Sequence, residues 1–286
     1  MAVTQLGYLG FQVTDADTWR RLATEIMGFA VSDEDGVIYL RFDERHHRIA
    51  LRPGKTDTLD YAGWECADLG AYETAVARAS QAGVEVTTGN ADECARRKVK
   101  GFARFRDPNG FPVEVYHGSL REMRPFVPSR PVSGYKTGAL GLGHVVLRCA
   151  RPELSVRFYC DVLGMRISDT ADLPRLSATF LHCNARHHSL ALTTSQPGGE
   201  GTVSHVMVEA CAMEDVGTAY ELCQQKGVPI WLSLGQHTND RVLSFYLRSP
   251  SGFGLEYGYG GLEIDEATWR VEHWRSGSFW GHTPAA

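Results

Sequence analysis

The chain has 286 residues, 43% of them hydrophobic and 22% charged, which is enough for a packed core and too apolar for wholesale disorder. Its 29 basic and 34 acidic residues leave a net charge of −5, which gives no reason to expect nucleic acid. No apolar stretch is long enough to span a bilayer, the first ten residues lack a secretory pattern, and seven cysteines without paired metal spacing suit a reducing cytoplasm.

In chain order the sequence predicts four units of one kind. An alternating run at 6–13 precedes a helix over 19–27 that stops at Gly28, with strands at 37–42 and 49–52. A strand at 63–66 precedes a helix over 72–82 that stops at Gly83, with strands at 102–106 and 112–116. Residues 119–138, with Pro125, Pro128 and Pro131, read as a linker. Beyond it a strand at 143–147 leads to a helix over 155–163 before Gly164, and a strand at 205–208 to a helix over 216–226 before Gly227. Glycine just past a helix adopts the left-handed conformation at little cost and so marks the stop. Each unit reads strand, helix, then about three strands. One such unit cannot cover both faces of its sheet, so units are expected to pair within each half.

The two halves repeat one another. Tyr39-Leu-Arg-Phe-Asp-Glu-Arg-His-His-Arg-Ile-Ala-Leu51 recurs as Phe180-Leu-His-Cys-Asn-Ala-Arg-His-His-Ser-Leu-Ala-Leu192. Phe105-Arg-Asp-Pro-Asn-Gly-Phe-Pro-Val-Glu-Val115 recurs as Leu247-Arg-Ser-Pro-Ser-Gly-Phe-Gly-Leu-Glu-Tyr257 at nearly the same shift, close to half the chain. The expected fold is therefore α+β, a tandem duplication of two domains: 1–118, a linker 119–138, and 139–286. Counting from the helix stops aligns Tyr8 with His144 and Tyr61 with His205, while the closing strands align Glu114 with Glu256. Two imidazoles and one carboxylate on rigid strands form a facial set suited to non-haem Fe(II), with open positions and a net +1 charge for an anionic chelator. A strand histidine is more often a hydrogen-bonded core residue, and Glu114 persists in the half that lacks the histidines. The pattern alone leaves both readings open.

At these residues the sequence resembles the type I extradiol dioxygenases of the vicinal oxygen chelate superfamily, in particular the biphenyl-2,3-diol 1,2-dioxygenase group. The resemblance spans the chain and rests on Leu142-Gly-His-Val-Val-Leu147, Arg186-His-His-Ser-Leu-Ala-Leu192, Ser204-His-Val-Met-Val-Glu209, Gly235-Gln-His-Thr-Asn-Asp240 and the block from Leu243 to Glu256. It implies two domains, each a pair of βαβββ modules, with metal only in the second. It implies His144, His205 and Glu256 as ligands of Fe(II), with Mn(II) as an ion the same ligands accept. It implies His188 as catalytic histidine, His237 and Tyr246 as contacts to the catecholate, Val146 and Phe180 as lining of the ring pocket, and Asn239 and Asp240 as polar residues at its distal end.

The implied reaction is ring cleavage of a bicyclic or substituted catechol, such as 2,3-dihydroxybiphenyl, with insertion of both atoms of O2. The substrate supplies the electrons, so no nicotinamide or flavin is needed, and no dinucleotide-binding glycine motif is present. A homo-oligomer is expected, without nucleic-acid or membrane partners. The competing expectations are another metal-dependent enzyme of the superfamily, an isomerase or thiol transferase, and a metal-free binding protein of the same fold. His46, His47, His182, His187, His273 and His282 read as structural or exposed, and Trp269, Trp274 and Trp280 as packing anchors or as part of a C-terminal segment that caps the pocket. The connection around 170–175 reads as short for the family and borders the substrate entrance.

Overall fold

The structure is a computed structural model describing residues 2–194 and 198–284. The first half builds eight strands: β1 (Gln5–Val13), β2 (Ala30–Glu34), β3 (Val37–Arg41), β4 (Ile49–Pro53), β5 (Thr58–Glu65), β6 (Thr87–Thr88), β7 (Gly101–Arg106) and β8 (Pro112–His117). Helix α1 (Ala16–Arg21) runs into a π-helical turn (Leu22–Met27), and α2 (Leu69–Gln81) and α3 (Ala91–Arg97) follow in the second module. Their order in the sheet is β2-β3-β4-β1-β5-β8-β7-β6. β1 is parallel to β4 and antiparallel to β5, so two modules join along the β1–β5 seam.

The second half repeats the plan with β9 (His144–Cys149), α4 (Pro152–Leu163), β10 (Arg166–Leu173), β11 (Leu176–His182), β12 (Leu190–Thr194), β13 (Thr202–Glu209), α5 (Met213–Lys226), β14 (Ile230–His237), β15 (Leu243–Arg248) and β16 (Gly254–Tyr259). The seam is now β9–β13, antiparallel, with β9 parallel to β12 and β13 parallel to β16. Two short strands, β17 (Glu272–Trp274) and β18 (Ser278–Gly281), pair with β10 and β14 at opposite edges of this sheet. Residues 272–281 therefore bridge its two ends as a strap.

The four anticipated helices end where glycine allows. Gly28, Gly83, Gly164 and Gly227 have φ of 75°, 78°, 71° and 67°. The helix expected over 19–27 is α-helical only to Arg21. The wider turn that follows buries Leu22, Ala23, Ile26 and Met27 on one face, gathered into a narrower arc than the roughly 140° they would span in an ideal α-helix. The segment 170–175, expected as a connection, lies mostly in strand: β10 runs to Leu173 and meets β11 through a two-residue turn. Helix α3 and the strap carry no repeat signal and are additional to the four units.

Strand alternation divides the second half into a packed side and an open side. Val145, Leu147, Leu190 and Leu192 pack into the core with Phe158, Tyr159 and Val162 of α4. Their neighbours His144, Val146 and Ala191 face a cavity instead. The core continues between the halves, where the Phe11 and Phe253 rings stack at 4.9 Å and Trp19 Nε1 donates to Ser251 Oγ at 2.9 Å.

Candidate metal centre and substrate pocket

Three adjacent strands carry the three candidate ligands. Across the β9–β13 seam His144 lies opposite Met207, and across β13–β16 Met207 lies opposite Glu256. His205, two residues before Met207, shares its face. The register in the first half is the same, with Tyr8 opposite Gly63, Gly63 opposite Glu114, and Tyr61 two residues earlier. The alignment read from the sequence thus matches the strand register. Gly143 makes the approach possible: at φ 146°, a Cβ there would sit 1.9 Å from the Met207 carbonyl oxygen.

The ligand atoms form a tight triangle. His144 Nε2 and His205 Nε2 are 3.1 Å apart, and they lie 3.2 and 3.4 Å from Glu256 Oε2. Three mutually adjacent positions of an octahedral ion with bonds of about 2.1–2.3 Å stand roughly 3.0–3.2 Å from one another, so the triangle fits one face of such an ion. Glu256 is buried, and Oε2 receives no hydrogen bond. A buried carboxylate oxygen without a donor is costly unless a cation meets it. Its other oxygen accepts from Ser244 Oγ at 2.7 Å and lies 3.3 Å from His237 Nε2. Burial opposes ionisation of Glu256, yet the imidazoles of His144, His205 and His237 hold its carboxyl well below the usual range. Burial likewise keeps His205 below the ordinary histidine value. An ionised carboxylate and neutral imidazoles are the forms a metal requires. The residues fit a divalent ion.

Around this triangle the structure gathers the other residues that the resemblance implies for the site. A cavity of about 260 Å³ is lined by His188, His237 and Tyr246, by Val146 and Phe180, and by Asn239 and Asp240. The His188 ring stacks on His144 with centroids 4.0 Å apart, while Phe180 meets His188 edge-on at 4.9 Å. Burial and the neighbouring His144 and His187 push the His188 imidazole well below its ordinary value. On the other side, His237 Nδ1 donates to the Gly277 carbonyl at 2.8 Å and His237 Nε2 lies 2.7 Å from the Tyr246 hydroxyl. Burial lowers His237, but Glu256, Asp240 and the Gly277 carbonyl outweigh it and raise the imidazole to about 9. Asp240 lies beside the centre, with Oδ2 3.8 Å from His188 Nδ1, rather than at the distal end expected for it. The turn after β14 folds it back, its Oδ1 accepting from Val242 N at 3.1 Å.

The distal wall is apolar, with Ala171, Leu173, Leu176 and Ala178 on the β10–β11 hairpin and Ala191 on β12, while Trp231 lines the other side beside Tyr246, ring centroids 5.9 Å apart. Several participants were not singled out from the sequence. Ser244 falls within the Leu243–Glu256 block but is given no role there, and His282, read as structural or exposed, lies at the site with its ring 4.1 Å from that of His237 and Nε2 3.2 Å from Ser244 Oγ. Trp274 anchors the strap and also lines the cavity. Of the other histidines read as structural or exposed, His182 joins Ser168 to Glu266 and His273 is exposed.

The chain is similar to known proteins over its whole length. The Glyoxalase/Bleomycin resistance protein/Dioxygenase superfamily matches residues 141–257, and Dihydroxybiphenyl dioxygenase BphC D1 matches residues 6–54. Biphenyl-2,3-diol 1,2-dioxygenase of Paraburkholderia xenovorans is 39% identical, covering 99% of this chain and 96% of that protein. An iron-dependent extradiol dioxygenase of Rhodococcus jostii is 36% identical, covering 99% and 97%. The solved structure of BphC, a halotolerant catechol dioxygenase, superposes with a TM-score of 0.94 at 36% identity, over 99% of this chain and 95% of that one. With the strand register and the donor triangle already in place, these likenesses assign the chain to the extradiol ring-cleaving dioxygenases of the vicinal oxygen chelate superfamily.

Proposed function

We propose that the chain uses Fe(II), held by His144, His205 and Glu256, to cleave a two-ring catechol such as 2,3-dihydroxybiphenyl. The observation that carries this reading is the donor triangle at one end of a cavity whose other end is apolar. The names of the relatives, a biphenyl-2,3-diol dioxygenase and an iron-dependent one, support the substrate and the ion.

Two neutral imidazoles and one carboxylate leave a divalent ion with one positive charge, which a catecholate monoanion neutralises. Once bound, the ion supplies Lewis acidity and a path for electrons from the catechol ring to O2. The protein's own groups manage the protons and the pose. Tyr246, backed by His237, holds the catechol oxygen that has lost its proton. His188, neutral and stacked on a ligand ring, accepts the second proton and returns it later as a general acid. Val146 and Phe180 hold the reacting ring between them, and Ala171 and Ala178 leave room for a second ring. Asn239 and Asp240 supply the polar edge of the pocket.

The test is oxygen uptake after anaerobic loading with Fe(II). One O2 consumed per 2,3-dihydroxybiphenyl, with a yellow ring-opened product, is expected. No uptake with that substrate, catechol, 3-methylcatechol or 1,2-dihydroxynaphthalene rejects the reading, and activity restored by Mn(II) alone rejects the choice of iron. His205→Ala is expected to lose the bound metal together with activity.

The organisation at larger scale is proposed on the same footing. The first sheet ends at His117 and the second begins at His144, which supports domains 1–118 and 139–286 around the linker 119–138. Residues 1, 285 and 286 of those ranges lie outside the described residues. Among the described residues no helix is long and apolar enough to cross a membrane, and all seven cysteines are free, which supports a place in the cytoplasm. Val271, Phe279 and Trp280 are exposed near the C-terminus and support a homo-oligomer, which light scattering would test.

A further inference from the structure

The structure assigns Asp169 and His187 as positioning residues that fix which nitrogen of His188 carries its hydrogen. This rests on the reading of His188 as the proton acceptor. Asp169 is 1% exposed and lies on β10, outside the metal set and outside every motif read from the sequence. Its carboxylate collects three contacts. Trp274 Nε1 donates to Oδ2 at 2.8 Å, Glu272 N donates to Oδ1 at 2.7 Å, and His187 Nε2 lies 3.0 Å from Oδ2. An indole and a peptide N–H only donate, so Asp169 faces them as an acceptor, and an ionised carboxylate has nothing to donate to His187. The hydrogen in the third contact therefore sits on His187 Nε2.

The consequence passes along the ring. A neutral imidazole protonated at Nε2 has a lone pair on Nδ1. His187 Nδ1 lies 3.0 Å from His188 Nδ1, so the hydrogen between them belongs to His188. That leaves His188 Nε2 with a free lone pair for a substrate proton. The next acidic group, Asp240 Oδ2, is 3.8 Å from His188 Nδ1, beyond hydrogen-bond distance. The main chain holds the relay rigid as well: His187 N donates to the Leu262 carbonyl at 3.2 Å, and Ser168 Oγ donates to the His187 carbonyl.

The strap sets the relay. Glu272 and Trp274, which supply the two fixed donors to Asp169, belong to β17, whose Glu272 lies opposite Asp169 in the parallel pairing with β10. The first half serves as an internal control. His46 Nδ1 and His47 Nδ1 sit 3.2 Å apart in the same arrangement, but His46 Nε2 comes no closer than 3.6 Å to a carboxylate, that of Glu34, itself largely exposed. The paired histidines recur in both halves, whereas the buried carboxylate and its strap accompany only the catalytic one.

Two measurements test the relay. In the metal-free full-length protein labelled with 15N-histidine, solid-state NMR reads the His188 tautomer, assigned by the signal missing in His188→Phe. Hydrogen on Nδ1 is expected; hydrogen on Nε2 in the native protein overturns the relay without touching the reading of His188. Asp169→Leu removes the acceptor that holds the hydrogen on His187 Nε2, so both imidazoles are released from their tautomers and the His188 hydrogen moves to Nε2. With Fe(II) content and KM unchanged, kcat is expected to fall about 10–100-fold, part of the roughly 10²–10⁴-fold that a positioned general base contributes. Loss of bound metal along with activity overturns the assignment in favour of a purely structural Asp169. A tautomer switch with unchanged kcat overturns the base role of His188 itself. The native tautomer needs no variant, so the proposal stays testable if Asp169→Leu fails to fold.

Discussion

Arg97 occupies the first half's counterpart of the metal centre. Its guanidinium donates to Glu114 through Nε at 3.0 Å and Nη2 at 2.9 Å, and its Cζ stands 3.6 Å over the Tyr61 ring, while Tyr8 OH donates to Glu114 Oε2 at 2.8 Å. A side-chain cation thus answers Glu114 as the proposed metal ion would answer Glu256, which accounts for a glutamate at this position in the half that carries tyrosines in place of the histidines. Removing that cation strands a carboxylate only 2% exposed. Arg97→Met is expected to lower the free energy of unfolding by about 3 kcal/mol, the scale for breaking a buried ion pair. Urea denaturation measures it, and a loss below about 1 kcal/mol rejects the assignment. Metal content and the rate of ring cleavage are expected to stay at wild-type levels. The sequence made Tyr8, Tyr61 and Glu114 legible because duplication supplied a partner for each to be compared with. Arg97 comes from α3, which the other half lacks, and Asp169 depends on donors about a hundred residues further along the chain. Neither leaves a local signal.

Among the elements, the β10–β11 hairpin sets the size of the pocket. Ala171 and Ala178 face one another across its strands, and Ala191, on the neighbouring β12, pairs with Phe180 of β11. Small residues at these positions open the distal wall of the cavity. Ala178→Phe is expected to raise KM for 2,3-dihydroxybiphenyl at least about tenfold, since overfilling a packed pocket costs roughly 1–3 kcal/mol. For 3-methylcatechol, kcat/KM is expected to change less than about threefold. Steady-state kinetics on the two substrates decide it, and an equal loss on both rejects this wall as the site of the second ring. Helix ends were legible because glycine punctuates them. The hairpin was not, because Asp169, Thr170 and Asp172 break the apolar alternation by which a strand is recognised, and their strand character comes from pairing with β11 and β17. The strap was illegible for a related reason: strands of three and four residues are too short to display a period.

For the molecule as a whole, duplication gives two sheets of one plan that bury different chemistry, and buried histidines in both make stability depend on pH. His47 tests this best, since it lies in the half without the metal triangle. It is buried, its Nε2 has no hydrogen-bond partner, and burial together with the charges of His46, Arg97 and Arg48 holds it well below its ordinary value. A base with a folded pKa below its unfolded one is neutral in the fold and protonated in the unfolded chain between the two values. Unfolding therefore takes up a proton in that window, and stability rises with pH across it. The contribution is fully present above about pH 6.5 and falls by about 1.4 kcal/mol per pH unit below it. Burial lowers His46 too, adding a loss in the same direction. Protonation of the metal ligands would obscure the comparison, so metal-free protein is the form to use. Between pH 7 and 5.5, wild type is expected to lose about 1 kcal/mol more unfolding free energy than His47→Gln, measured by urea denaturation at each pH. Parallel pH profiles for the two proteins would show that His47 titrates normally in the fold, and would remove the buried neutral imidazole from the account of acid sensitivity.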